Sequence, residues 1–174
     1  MRRILALSAL ALIAVPAAAA LPAGTKAPQV QSSGAAAGKP YRLDLKSELK
    51  HGPVVLYFFP KANTKGCDLE AHLYSEAIPK YKAAGARVIG MSADDAPTLT
   101  TFSTAKCAGA FPVATATPAI QKAYDVAWKE HPGLTTRTSY VIDKNGKIVL
   151  VHDDLDPTQH VAKTLAAVQG LKRK

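Results

Sequence analysis

Reactive potential in this 174-residue chain concentrates in Pro60-Lys61-Ala62-Asn63-Thr64-Lys65-Gly66-Cys67. The stretch follows a six-residue apolar run, Val54 to Phe59, and leads into a helical pattern. Cys67 is therefore predicted in the first turn of a helix that begins where a buried strand ends. Backbone N–H groups and the positive end of the helix dipole converge at such a place, and both favour a thiolate over a thiol. Pro60 and Thr64, seven and three residues upstream, can wall the same pocket and hydrogen-bond within it. Nucleophilic attack by sulfur is the chemistry this arrangement suits.

The remaining candidates are few. Cys107 is the only other cysteine. Two cysteines in an oxidising compartment pair by default, so a permanent Cys67–Cys107 bond in a redox-silent binding module is one alternative. Such a bond, closing about 40 residues, adds on the order of 4 kcal/mol in the chain-entropy model. His51, His72, His131, His152 and His160 show no metal-ligand spacing, so neither a metal nor a cofactor is expected. Thr64 also suits a helix N-cap, and the two roles can coexist. Trp128 and the tyrosines are expected to pack the core or rim the pocket.

The elements around these residues read as one α/β unit. Residues 21–40, rich in Ala, Gly, Pro and Ser, form an irregular arm with a hairpin around Gly34 to Gly38. Lys39 to Leu43 is a short strand, and Asp44 to Lys50 a helical turn. The run Val54 to Phe59 is too continuous for a half-exposed strand and belongs at a sheet centre. Leu69, Leu73, Ala77 and Tyr81 recur every four residues, which predicts the apolar face of a helix ending near Gly85, kinked at Pro79. Arg87 to Met91 is the next strand. Asp94 or Asp95 caps a helix with Pro97 in its first turn, running to about Lys106.

Phe111 to Ala114 makes a short strand, and Thr117-Pro118 opens another helix. Two β-rich runs, Thr138 to Asp143 and Lys147 to Val151, flank Lys144-Asn145-Gly146 as a hairpin. Asp156-Pro157 opens the last helix, with Val161, Leu165 and Val168 on one face. Strand, helix, strand, helix, hairpin and terminal helix is the thioredoxin-like order, a central mixed sheet flanked by helices.

The N-terminus bears on location. Arg2-Arg3 precede an apolar segment from Ile4 to Val15, and Ala18-Ala19-Ala20 offers a small-residue cleavage site before Leu21. Residues 1–20 are thus expected to be a secretory signal peptide, leaving 21–174 as a single domain exported to the periplasm. Pro16 closes the apolar run too early for a stable membrane anchor, which needs about 20 residues. Lys+Arg number 22 against 13 Asp+Glu, a formal net charge of +9. The basic residues are scattered apart from Lys172-Arg173-Lys174, so no nucleic-acid partner is expected.

The sequence resembles the peroxiredoxins from about Ala23 to Val168, and proline, three residues, threonine, two residues, cysteine is their active-site signature. It is most similar to the bacterioferritin comigratory protein (PrxQ-like) branch. The run Val54 to Lys61, Gly66-Cys67, Glu70 and Arg137-Thr138-Ser139-Tyr140-Val141-Ile142-Asp143 carry the likeness. What the resemblance implies is a thiol-dependent peroxidase acting on hydrogen peroxide or organic hydroperoxides. Cys67 would be the peroxidatic cysteine and Thr64 the hydroxyl donor to peroxide. Pro60 would shield the site, Arg137 would hold the thiolate and polarise the substrate, and Glu70 would orient that arginine. The reductant would be a thioredoxin-like protein or a small thiol, and the chain a monomer or weak homodimer.

Three positions depart from the branch. Lys65 replaces the proline usual before Gly-Cys. His72 stands where many members carry a resolving cysteine. Cys107 lies near the alternative resolving position on the following helix, and is the candidate for that role over a one-cysteine cycle. The other rival, an exported thioredoxin-like thiol–disulfide oxidoreductase, would use Cys-x-x-Cys, but position 70 is Glu.

Overall fold

A computed structural model describes residues 20–172. The expected signal peptide, but for Ala20, lies outside the described residues. Among the described residues seven strands form one mixed sheet, flanked by helices as expected. The chain order is β1 (Gln31–Ala36), β2 (Lys39–Asp44), α1 (Leu45–Leu49), β3 (Val54–Phe58), α2 (Lys65–Ala83), β4 (Arg87–Ser92) and α3 (Ala96–Ala105). There follow β5 (Val113–Thr115), α4 (Pro118–Ala123), β6 (Thr138–Ile142), β7 (Ile148–Asp153), a 3-10 turn at Pro157–Gln159 and α5 (His160–Lys172). Among the described residues no helix is long and apolar enough to cross a membrane.

Across the sheet the strands run β2-β1-β5-β4-β3-β6-β7. β3 lies between a parallel β4 and an antiparallel β6, and all five of its residues are buried. Strand alternation sends its side chains to opposite faces. Val54, Leu56 and Phe58 join an apolar layer with Leu43, Leu45, Ile89 and Tyr140. Val55, Tyr57 and Phe59 join the layer that holds α2, α3, Cys67 and Cys107. The antiparallel register sets Phe58 opposite Thr138. The residue before β6, Arg137, is thereby delivered to the same sheet end as the Cys67 loop.

Helix starts follow their caps. Asp44 accepts from the Ser47 N–H, Asp95 from Thr98, Thr117 from Ile120 and Asp156 from Thr158. Three expectations need correction. The arm is less irregular than its composition suggests, because β1 occupies Gln31–Ala36 and pairs with both β2 and β5. Gly34 permits this, since a Cβ there would stand 1.9 Å from the Val113 carbonyl oxygen.

The buried stripe of α2 is Cys67, Glu70, Ala71, Tyr74, Ala77, Ile78 and Tyr81, while Leu69 is 42% exposed. Ala77 and Tyr81 of the expected face are buried, but the charged Glu70 belongs to the stripe too, so an apolar count alone sets the rotation off from the true one. On α5 the buried line is His160, Thr164 and Val168, with Val161 and Leu165 only partly covered. There too the stripe is partly polar. Helix α2 continues through Pro79 to Ala83.

Candidate active site

The loop between β3 and α2 is pinned on both sides. The Phe59 N–H donates to the Met91 carbonyl at 2.9 Å, and the Thr135 hydroxyl donates to the Phe59 carbonyl at 2.8 Å. Asp94 reaches across to accept the Ala62 N–H at 2.8 Å, while Ser92 donates to the same carboxylate oxygen at 2.8 Å. Asn63 takes a left-handed conformation, φ 60°, which asparagine tolerates, and turns the chain into the helix. Pro60 is half-buried at the loop's start.

Cys67 is the third residue of α2 and is 2% exposed. Arg137 Nη2 lies 3.5 Å from its Sγ. The other guanidinium nitrogens are also engaged: Nη1 donates to Glu70 Oε2, and Nε donates to the Leu155 carbonyl at 2.9 Å. A planar fork held at three points cannot swing away from the sulfur. Gly66 makes the approach feasible, because a Cβ at that position would meet Arg137 Nη2 at 3.0 Å. Burial opposes the charged guanidinium, but Glu70 and Cys67 outweigh it, and Arg137 is pushed up and remains a cation.

Glu70 is fully enclosed. Burial raises its carboxyl group to about 8, although Arg137 pulls the other way. Its Oε1 has no hydrogen-bond partner and faces His160 Nδ1 at 3.6 Å. Thr64 occupies the N-cap position of α2 without capping it. Its exposed hydroxyl donates to the Lys61 carbonyl at 2.9 Å, so in place of the expected donor to peroxide it offers only acceptor lone pairs.

Cys67 and Glu70 are thus brought together by Arg137, which touches both, while Pro60 and Thr64 belong to the loop that leads from β3 into α2. Cys107 stands apart. It is fully buried in the turn after α3, within the same apolar layer as Cys67, and burial pushes its thiol strongly up. Both cysteines are free, so the permanent bond weighed above is not formed. Their neighbours are linked instead, as Lys106 Nζ meets Asp68 Oδ2 at 2.8 Å. Ala108 and Gly109, directly after Cys107, are both left-handed, with φ 48° and 67°. His72 is exposed and pairs with Glu76 at 3.3 Å.

Residue types alone did not single out Asp94, Ser139 or His160. For His160 and Thr164 a signal existed: their spacing after Asp156-Pro157 places both on one helix face.

A sulfur at a helix start beside a fixed cation can attack an electrophile and stabilise charge on its leaving group. Residues 23–151 match the model of the AhpC/TSA family. The chain is 33% identical over 126 residues to chloroplastic peroxiredoxin Q of Triticum aestivum, covering 72% of this chain and 58% of that protein's length. It is 32% identical over 136 residues to the peroxiredoxin Q of Sedum lineare, covering 78% and 72%. Among solved structures, peroxidoxin BcpB of Mycobacterium tuberculosis aligns with a TM-score of 0.75 at 25% identity, over 86% of this chain and 97% of that one. Peroxiredoxin Q of Xanthomonas campestris aligns with a TM-score of 0.70 at 26% identity, over 82% and 90%. With a thioredoxin-like sheet of the peroxiredoxin type and relatives in the peroxiredoxin Q branch, this chain belongs to the AhpC/TSA family.

Proposed function

We propose that the chain is a thiol-dependent peroxidase, and the 3.5 Å contact between Arg137 and the Cys67 sulfur is the observation that carries this reading. The Cys67 thiolate attacks the terminal oxygen of hydrogen peroxide or an organic hydroperoxide. The S–O bond forms as the O–O bond breaks, and the leaving oxygen departs as water or an alcohol once it takes a proton. Cys67 is left as a sulfenic acid. A free thiol is only about 3% ionised at neutral pH, so complete ionisation gains at most roughly thirtyfold. Any further acceleration falls to the donors around the breaking bond, Arg137 and the N–H groups near Gly66 and Cys67, while the Thr64 hydroxyl, whose own proton goes to the Lys61 carbonyl, accepts from the peroxide O–H. Pro60 shields the site, and Glu70 orients Arg137.

Cys107 is the resolving thiol in this reading. Its sulfur displaces water from the sulfenic acid and closes a Cys67–Cys107 disulfide, which a thioredoxin-like protein or a small thiol then reduces. A disulfide requires Cα atoms within about 7 Å, and local unwinding of the segment after α3 is the movement that would bring Cys107 to Cys67. The left-handed pair Ala108–Gly109 is where that movement would begin. The chain would work in the periplasm after loss of residues 1–20, as a monomer or weak homodimer.

Reduced protein mixed with peroxide is expected to give a sulfenic acid that dimedone traps at Cys67. Labelling at Cys107 instead would overturn the assignment. Mass spectrometry after one equivalent of peroxide tests resolution. Loss of two hydrogens with a linked Cys67–Cys107 peptide supports it, and a stable added oxygen on Cys67 with Cys107 still alkylatable excludes it.

A further inference from the structure

Behind the Cys67–Arg137–Glu70 contact lies a buried cluster that the peroxide chemistry does not use: His160, Ser139, Tyr74 and Thr164, all fully enclosed. His160 Nε2 lies 2.9 Å from the Asp154 carbonyl. A carbonyl only accepts, so Nε2 carries the proton and the neutral ring presents an acceptor lone pair at Nδ1. Burial holds the ring in that form by pushing His160 down to about 4. Ser139 Oγ is 2.8 Å from Nδ1, and Glu70 Oε1 is 3.6 Å away. Since Oε1 has no hydrogen-bond partner, two acceptor atoms face each other across this buried gap. One proton relieves that conflict.

We propose that His160 is a positioning residue: together with Glu70 it holds one proton in this gap, and holding it leaves the charge of Arg137 to the Cys67 sulfur. The inference rests on reading Cys67 as the reactive thiol. Thiolate, guanidinium and carboxylate together would bury one net negative charge, and the shared proton brings that to zero. Unbalanced buried charge is costly. Ionisation of Cys67 and retention of the proton therefore favour each other, and the coupling is reciprocal. When the proton leaves, Glu70 becomes a full carboxylate and takes more of the Arg137 charge.

The groups around the pair leave this role to it. Tyr74 on α2 and Tyr57 on β3 are kept neutral by burial. His152 on β7, whose ring centroid is 4.4 Å from that of His160, is pushed down by burial and by Lys163. Asp154 offers His160 its backbone carbonyl, while its carboxylate accepts the Asp156 N–H. Ser139 adapts to either state. Its hydroxyl donates to Nδ1 when the gap is empty, and can turn to Tyr74 Oη at 3.1 Å when the proton is present.

The test is the pH dependence of peroxide reduction in the full chain, read beside the ultraviolet absorbance of the thiolate. The rate is expected to rise with the thiolate and then fall near pH 8 as the shared proton departs. Glu70→Gln, a permanent mimic of the protonated acid, is expected to lose that fall. His160→Gln keeps a donor for the Asp154 carbonyl but lacks the acceptor at Nδ1, so its fall moves acidward by about one pH unit. His160→Asn, whose amide oxygen stands near the Nδ1 position, is expected to restore the parent profile.

A second readout needs neither turnover nor a His160 variant. In nitrogen-15 histidine spectra the Nδ1 signal of His160 should titrate over the same range, with a lower midpoint in Cys67→Ser. A parent profile in His160→Gln, or an Nδ1 signal flat from about pH 6 to about pH 9, overturns the proposal. A titrating Nδ1 signal in a chain that reduces no peroxide upholds the proton-sharing pair and counts against the peroxidase reading alone.

Discussion

Cys67 and Cys107 sit in one apolar layer, both shut away from solvent, yet their surroundings are opposite in kind. Cys67 begins a helix and touches a guanidinium held at three points. Cys107 follows the end of a helix, and burial alone acts on its thiol, pushing it up. Equal burial therefore sets one sulfur against a fixed cation and leaves the other among apolar groups that oppose its ionisation. Exposure alone is a poor guide to reactivity here. The direction in which backbone dipoles and side-chain charges point separates the two.

The largest expected difference comes from removing each sulfur in turn. Cys67→Ser is expected to lose peroxide consumption altogether. Cys107→Ser should keep the first turnover at the parent rate and then accumulate over-oxidised Cys67, because the sulfenic acid has no internal partner. Stopped-flow consumption of one equivalent reads the first, and mass spectrometry after a further equivalent of peroxide reads the second. Equal first-turnover rates in the two variants would erase the contrast.

Arg137→Met sharpens the comparison next, by making the surroundings of Cys67 more like those of Cys107. Losing a charge-assisted donor at the breaking bond is expected to slow peroxide attack about a hundredfold, roughly 3 kcal/mol. Glu70 would also be left buried without its partner, so thermal stability should fall as well. An unchanged second-order rate constant would mean that the guanidinium contact is packing only.

The third prediction concerns pH and stability. Burial raises Glu70 from an ordinary 4.5 to about 8, so above its ordinary range the unfolded chain releases this proton while the folded chain keeps it. Its contribution to stability is intact below about pH 4.5 and is lost progressively as the pH rises to about 8. Glu70→Gln cannot titrate. The midpoint difference, variant minus parent, should therefore grow across that window in thermal melts. Parallel curves would show that no raised carboxyl lies on the Cys67 side.

The smallest effect is expected from the tie between the two segments. Lys106→Met breaks the pair with Asp68, a partly exposed contact worth about 0.2–1 kcal/mol. The first oxidation step should be untouched, and the thermal midpoint should drop by a few degrees at most. A large loss of peroxide rate would make Asp68–Lys106 part of the site.

Much of this contrast was legible before any coordinates. The continuous run at β3, the four capping residues and the loop-to-helix step before Cys67 obey local rules, so position along the chain is enough to place them. Arg137 was recoverable only through the family likeness, because its delivery depends on β6 pairing antiparallel with β3. Glu70 came through the same likeness, whereas His160 was missed, and for another reason neither shows in the residue pattern. Each lies on the buried stripe of its helix, where a polar side chain breaks the apolar rhythm by which such stripes are recognised. Ser139 alternates along β6 like any strand residue, and nothing local marks it as the hydroxyl between Tyr74 and His160.

The pairing of β3 with β6 also dictates when the sulfur comes alive. Cys67 and its guanidinium partner are 70 residues apart along the chain. Contacts of such separation close after local ones, because loop entropy must be overcome first. A chain emerging from synthesis thus carries Cys67 as an ordinary thiol, with the helix start formed and the cation still absent. Reactivity is switched on by completion of the sheet, so the sulfur gains its partner at the moment the fold closes around it.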